Sequence, residues 1–401
     1  MTQHTGLPPH AEGPRVTLRS PGELAEALPY LMGFHPDDSI VLVALHGDRS
    51  RFGGRLRLAI PEDDGEWPEA ARQLTACFVE GARARGRQPD GILVFLCQDP
   101  PPGTPPARTA ERLRPLAQAL RTACGALDVP VPEALCVSGG RWWSYVCPDT
   151  GCCPAGGAEL GSGGTSVMAA AAAFAGIRVR GSLKQMAARF EPLPPPHDRI
   201  QETALDRACA VLLPRLLSGD GDGDGDGEGE GNGDGDGGPG GLVEETVAAL
   251  AAVLDRFRAG PPPPSCTDDE ADRHDDALLT PAQAARLVLG LQDRVARDRA
   301  AEWVEQPDAG AALRLWRALA RRCTGAYSGH AAAPLTLAGW VCWACGDEPE
   351  ARVAFVRALE ADPEYTFARL LHQACNSGLD PEPLRRCLRE ERQRRETRER
   401  G

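Results

Sequence analysis

The chain has 401 residues, which is long enough for two or three domains with hydrophobic cores. Its net charge of −13 argues against non-specific binding to nucleic acid, and its 42% hydrophobic and 25% charged residues are typical of a globular protein. Residues 1–14 lack the features of an export signal, and no apolar run approaches the roughly 20 residues of a membrane span. We therefore expect reduced cysteines in a cytoplasmic protein without a membrane segment.

The first predicted elements lie between residues 19 and 45. Ser20 and Glu23 form a Ser-x-x-Glu capping box, which predicts a helix start, and apolar residues then recur at helical spacing. Residues 35–39 have the composition of a turn, and residues 40–45 form an unbroken apolar run that is typical of a strand buried on both faces. Residues 1–15 are predicted to be disordered.

Strands and helices then alternate, which predicts a layered α/β sheet domain over residues 16–197. The predicted strands cover residues 40–45, 54–60, 91–97, 133–137 and 141–146. The predicted helices that follow the first one cover residues 68–84, 109–124, 166–176 and 182–190. The two glycines at residues 139–140 predict a β-hairpin between the last two strands.

The second half of the chain has a helical pattern. We predict a helix over 198–217, a disordered Gly/Asp/Glu linker over 218–241, a helical region over 242–389 and a charged tail over 390–401 that forms a solvated, fraying helix. Residues 260–276, rich in proline and acids, are predicted to be a loop. A single helix is predicted over residues 281–297.

Residues 346–363 resemble one tetratricopeptide unit. A Gly-Asp turn separates two helical patterns, small residues occupy the positions where helices approach, and Asp-Pro ends the second pattern. A repeat groove requires about three such units. We therefore predict one tetratricopeptide-like helical hairpin that packs on neighbouring helices.

Three segments carry a resemblance to a known family. They are residues 19–45, the run Arg-Trp-Trp-Ser-Tyr-Val-Cys-Pro-Asp-Thr-Gly-Cys-Cys-Pro at residues 141–154, and residues 334–371. In combination they resemble the actinobacterial domain of unknown function 4192 (DUF4192) family. The resemblance implies an architecture for nearly the whole chain, and it carries no activity.

Cys147, Cys152 and Cys153 are the sharpest candidate site. A Cys-x4-Cys-Cys loop at the end of a strand can bring sulfurs together, and thiolates favour zinc or copper. The same thiols can instead form a disulfide on oxidation and perform redox chemistry. They can also be small buried fillers of a compact loop. The sequence leaves the three interpretations open.

Aromatic residues precede this loop on the same strand. Alternation places Arg141, Trp143 and Tyr145 on one face of the strand and Trp142 on the other. An arginine beside aromatic rings can bind an anion or a stacked base. The alternative is that the tryptophans anchor the core.

A second group of candidates stands at the entrance to the first buried strand. Asp37 and Asp38 can coordinate magnesium or perform acid–base chemistry, and His35 can act as a general base. Turn and capping roles explain the same residues.

We interpret the sequence as a cytosolic interaction or small-ligand-binding protein without catalysis, whose helical region binds a protein partner. The alternative is a metal-binding or thiol-redox enzyme or sensor that uses Cys147, Cys152 and Cys153, with zinc as the candidate metal.

Overall fold

The computed structural model describes residues 18, 20–47, 50–84, 86–149, 151–161, 167–174, 179–219 and 239–400. The predicted disordered N-terminus and residues 220–238 of the predicted linker lie outside the described residues. The chain divides into two compact units, of which the first ends at Ser182 and the second begins at Leu183. This division comes before residue 197, since the helix that begins at Leu183 packs on a helix of the second unit.

The first unit contains eight described strands and four described α-helices. The strands are β1 (Phe34–His35), β2 (Ser39–His46), β3 (Arg51–Ala59), β4 (Gly91–Cys97), β5 (Glu133–Ser138), β6 (Arg141–Ser144), β7 (Ala158–Glu159) and β8 (Arg180–Ser182). The helices are α1 (Pro21–Met32), α2 (Trp67–Ala84), α3 (Pro106–Gly125) and α4 (Val167–Phe174). The predicted capping box at the start of α1 is present, with both of its hydrogen bonds.

Six strands form a mixed sheet in the order β3-β2-β4-β5-β6-β7, in which β4 and β5 are the parallel pair. The predicted hairpin between β5 and β6 is confirmed. Alternate residues of β2 and β4 face different cores, because successive side chains of a strand point to opposite faces. Ile40 and Leu42 pack with α2 and α3, whereas Val41 and Val43 pack with α1.

The second unit consists of helices. They are α5 (Leu183–Ala188), α6 (His197–Gly219), α7 (Pro239–Ala259), α8 (Asp268–Ala277), α9 (Pro281–Gly290), α10 (Arg294–Ala300), α11 (Asp308–Ala320), α12 (Ala332–Ala344), α13 (Glu348–Ala361), α14 (Thr366–Asn376) and α15 (Glu382–Arg400). The predicted fold class, an α/β sheet domain followed by a mainly α-helical region, is confirmed. Among the described helices, none combines the length and apolar character that crossing a membrane requires.

The helices α12 and α13 form the predicted helical hairpin at the centre of the second core. Every residue of α12 is buried. The two helices approach so closely that a Cβ atom at Gly339 would lie 2.6 Å from Phe355. The indole of Trp340 donates a hydrogen bond of 2.9 Å to the carbonyl of Ala301, which satisfies its buried N–H. The tetratricopeptide likeness of this hairpin stays a prediction.

The prediction of a loop over residues 260–276 is wrong, because α8 occupies its second half. Thr267 and Glu270 form a capping box there, a signal that the acidic composition obscured. Two acidic residues of α8 are buried against arginines rather than solvated. Asp272 pairs with Arg189, and Asp275 pairs with Arg314.

Two further helix boundaries differ from the sequence-based expectation. The predicted single helix over 281–297 is split, because Asp293 accepts hydrogen bonds from two backbone N–H groups and caps a new helix, α10. Residues 390–400 of the predicted tail belong to α15, which begins at Glu382. Arg395 of this helix pairs with Glu302, whose side chain is 8% exposed. The last helix is therefore bound along part of its length.

Candidate metal centre

The three candidate cysteines lie on the connection between β6 and β7, which we call the thiol loop (residues 145–157). Both flanking strands are part of the main sheet, since β6 pairs with β5 and β7 pairs back on β6. Arg141 lies opposite Glu159, and Trp142 lies opposite Ala158. The sheet therefore holds the two ends of the thiol loop side by side.

The strand β6 ends at Ser144, two residues earlier than the sequence predicts. The Ser144 hydroxyl oxygen accepts hydrogen bonds from the backbone N–H groups of Val146 (3.1 Å) and Cys147 (2.9 Å). The same hydroxyl donates to Glu133 Oε1 at 2.7 Å. A serine that bonds nearby backbone in this way offers the chain an alternative to the strand ladder. Cys147 is thus positioned by the strand end that precedes it.

Side chains of β6 hold the far limb of the thiol loop. The Arg141 guanidinium donates to the carbonyls of Gly156 (3.0 Å) and Gly157 (2.7 Å), and the Trp143 indole donates to the carbonyl of Ala155 (3.1 Å). Gly157 has a φ of +75°, and a Cβ atom there would lie 2.4 Å from the Trp143 ring. A glycine is therefore required at this point of closest approach.

A tight turn at Asp149 folds the middle of the thiol loop back on itself. The Asp149 carbonyl accepts from the N–H of Cys153 at 2.8 Å, and its carboxylate accepts from the N–H of Gly151 at 2.8 Å. A side chain that bonds backbone two residues ahead is an Asx turn. This turn brings Cys153 back toward Cys147.

The result is a cluster of three thiols. The Sγ atoms of Cys147, Cys152 and Cys153 all lie within 4.8 Å of one another. In the part of the chain that the structure describes, this is the one group of three or more cysteine, histidine or acidic side chains with such spacing. Cys152 is exposed, and Cys153 packs against the core that contains Leu28 and Trp142.

The cluster has an electrostatic consequence for Cys153. Burial, together with hydrogen bonds to the thiols of Cys147 and Cys152, raises the pKa of Cys153 from 9.0 to about 12. Three thiolates close together would repel one another, and a cation among them would remove that repulsion. The arrangement fits an ion that binds sulfur.

Comparison with known proteins gives a family for this architecture. A family model described as Domain of unknown function (DUF4192) matches residues 21–382. The chain belongs to this family. No curated protein and no solved structure matches the chain. The DUF4192 match includes the whole thiol loop, but the family description assigns it no chemistry.

The aromatic candidates of this DUF4192 protein have structural partners. Trp142 and Trp143 are buried in different cores on opposite faces of the sheet, as alternation predicts. Arg141 uses its donors on the thiol loop and on Glu159. The Tyr145 hydroxyl donates to the carbonyl of Ala110 at 2.6 Å, and burial raises the pKa of Tyr145. These contacts orient the thiol loop.

The structure does not bring the second group of candidates, which precedes β2, to the thiols. Since β2 and β6 run in the same direction, Asp37 and Asp38 precede one end of the sheet and Cys147 follows the other. The Asp38 carboxylate accepts from Gln98 at 3.1 Å, and its carbonyl accepts from the N–H of Ile60. These contacts join the start of β2 to the ends of its two neighbouring strands, β4 and β3.

His35 is exposed, and its backbone lies opposite Ser182 in the pairing of β1 with β8. This short pairing is separate from the six-stranded sheet that carries the thiol loop.

Two residues that position the site were missed by the sequence analysis. Ser144 was assigned to the interior of a strand, and Asp149 was given no role. The Asp-x-Gly spacing of residues 149–151 is a recognisable turn signal. No comparable sequence signal marks the hydrogen bond from the Cys147 N–H to Ser144, because this bond depends on where β6 ends.

Proposed function

We propose that the protein binds a thiophilic metal ion through Cys147, Cys152 and Cys153. The observation that carries the proposal is the mutual approach of the three Sγ atoms to within 4.8 Å. Zinc–sulfur bonds of about 2.3 Å in tetrahedral geometry place thiolates roughly 3.8 Å apart. Side-chain rotations that shorten the separations by at most about 1 Å would therefore complete a three-sulfur site.

The chemistry of the donors favours zinc or monovalent copper. Thiolates are soft ligands that select these ions, whereas magnesium and calcium prefer oxygen. Each thiol must lose its proton to bind, so we expect proton release on binding and tighter binding as the pH rises. Three protein ligands leave one position of a tetrahedral zinc ion for water or another ligand.

The hydrogen bonds that hold the two limbs of the thiol loop support metal binding because they do not use the sulfur atoms. Arg141 and Trp143 hold the far limb of the thiol loop through backbone carbonyls, and Ser144 holds the near limb. Positioning of this kind reduces the conformational entropy that a metal would otherwise have to remove from the loop. Outer-shell contacts of metal sites commonly change affinity by roughly 10- to 100-fold.

The proposal is tested by metal analysis of the full chain. Protein purified without chelator is analysed for zinc and copper, and its affinity is then measured by competition with a chromogenic chelator. We expect about one ion per chain in the wild type and a large loss in Cys147→Ser, Cys152→Ser and Cys153→Ser. Cys77→Ser is the matched control, because Cys77 is an exposed cysteine of the same unit that lies outside the cluster.

The outcomes separate cleanly. Binding that is lost in the three loop variants and kept in the control supports the proposal. Failure of the wild type to bind either ion overturns it, as does a loss of binding that is equal in the control. The sequence-based preference for a protein partner of the helical region stays a prediction, which affinity purification of the full chain tests.

A further inference from the structure

The spacing of the three thiols also bears on how metal binding is regulated. We propose that oxidation controls the site: a two-electron oxidant of the peroxide class joins Cys147 and Cys152 in a disulfide and releases the ion. This inference rests on the proposed function, because it concerns the same three sulfurs. The oxidised thiol loop would retain one thiol, Cys153.

Backbone geometry decides which pair of cysteines can join. Cα atoms of consecutive residues are about 3.8 Å apart across a trans peptide, which is shorter than the roughly 4.4–6.8 Å of ordinary disulfides. A bond between Cys152 and Cys153 would therefore be strained. Cys147 is separated from both in sequence, and its Sγ atom lies within 4.8 Å of theirs. Cys147 is thus a better disulfide partner for Cys152 or Cys153 than these two residues are for each other.

The exposure of the cysteines decides between the two remaining pairs, Cys147–Cys152 and Cys147–Cys153. Cys152 is exposed, so that a small oxidant in solution can reach its sulfur. Cys153 is partly buried and packs against the core that contains Leu28 and Trp142. Susceptibility to oxidation follows thiolate character and exposure. Cys152 is therefore the first sulfur to react, and Cys147 is the sulfur that resolves it.

The reaction balances with peroxide as the sole oxidant. The Cys152 thiolate attacks one peroxide oxygen, the O–O bond breaks, and sulfenic acid forms at Cys152 with release of hydroxide. The Cys147 thiolate then attacks that sulfur and expels the second hydroxide, forming the S–S bond. The two sulfurs together give up two electrons, and protonation converts both hydroxides to water. The ion thereby loses two of its three thiolate ligands.

The surrounding structure permits this change without unfolding the unit. The contacts that hold the far limb of the thiol loop use the carbonyls of Ala155, Gly156 and Gly157, and none of them involves a sulfur. Disulfide formation therefore alters side chains within the thiol loop while β6 and β7 stay paired. A thiol reductant would restore the binding site.

The test uses the full chain loaded with zinc and treated with hydrogen peroxide. Zinc release is followed with a chromogenic chelator, and disulfides are mapped by mass spectrometry of peptides. We expect one zinc released for each Cys147–Cys152 disulfide, with rebinding after reduction. Cys77→Ser should behave as the wild type does, and Cys152→Ser should form no disulfide with Cys147.

Cys153→Ser separates this inference from the proposed function. The variant should form the Cys147–Cys152 disulfide even though it binds zinc weakly, because Cys153 takes no part in the bond. A wild type that binds zinc and keeps it after oxidation, or releases it without this disulfide, overturns the redox inference alone. A wild type that binds no metal overturns the proposed function, and the disulfide map then shows whether the two thiols pair.

Discussion

The indole N–H of Trp143 donates a hydrogen bond of 3.1 Å to the carbonyl of Ala155, twelve residues further along the chain. The ring of Trp143 is buried in the core beneath α2 and α3. A residue that anchors the sheet thus also fixes the loop on which three thiols meet. The stability of the first unit and the geometry of the candidate metal centre are therefore coupled through one side chain.

Trp143→Phe should weaken metal binding. Phenylalanine keeps an aromatic ring in the core but cannot donate to Ala155, so that we expect a loss of about 1 kcal/mol in the free energy of unfolding from the hydrogen bond. Metal affinity should fall by roughly 10-fold, the lower end of the effect of an outer-shell partner. Trp142→Phe removes a similar volume on the opposite face of the sheet and should leave the affinity unchanged. Equal affinities of the two variants would contradict the coupling.

Gly157→Ala should destabilise the thiol loop more than Gly156→Ala does. Gly157 has a φ of +75°, and a Cβ atom there would meet the Trp143 ring at 2.4 Å, whereas a Cβ atom at Gly156 has nothing within 4 Å. The left-handed conformation alone costs an alanine about 1–2 kcal/mol. Urea unfolding of both variants measures the difference. If Gly156→Ala is as destabilising as Gly157→Ala, the close approach of residue 157 to the ring has no energetic weight.

Glu133 should make the first unit less stable as the pH rises. Burial raises the pKa of Glu133 above its ordinary value of 4.5, so that the folded state holds this proton more tightly than the unfolded chain does. The contribution of Glu133 therefore falls as the pH rises from below 4.5 through the raised pKa of the folded state.

Glu133→Gln removes this titration and tests its sign. The free energies of unfolding of wild type and variant are compared at about pH 4 and about pH 7. The variant should gain stability relative to the wild type at the higher pH. A relative gain for the wild type would mean that the hydrogen bond from Ser144 stabilises the carboxylate more than burial destabilises it.

Arg317 and Glu350 form a buried ion pair in the second unit, with side chains that are 6% and 5% exposed. Glu350→Leu leaves the guanidinium buried without its partner and should cost about 3–5 kcal/mol of unfolding free energy. Arg317→Met should cost a similar amount, because it leaves the Glu350 carboxylate buried without its partner. The double variant should lose much less than the sum, since an apolar pair of similar volume replaces both charges. Urea unfolding followed by circular dichroism measures all four chains, and additive losses would contradict a direct interaction.

Much of the fold follows from local patterns in the sequence. The capping box of Ser20 and Glu23, the apolar run that begins at Ile40 and the hairpin at residues 139–140 predict their elements correctly, because each is decided by interactions within a few residues. The helix α8 was missed although Thr267 offered the same signal. The proline- and acid-rich composition of residues 260–276 suggested a loop, and the arginines that pair with α8 are distant in sequence.

The sequence alone determined which residues could bind a metal and on which faces of the sheet the tryptophans lie, since both follow from residue type and strand periodicity. Only the tertiary structure decided that Cys147, Cys152 and Cys153 meet and that Asp37 and Asp38 lie at the other end of the sheet. The separation of two sulfurs depends on the path of the loop between them. The turn at Asp149 is local, but the rest of that path depends on hydrogen bonds from β6 to carbonyls up to sixteen residues away, which no local pattern encodes.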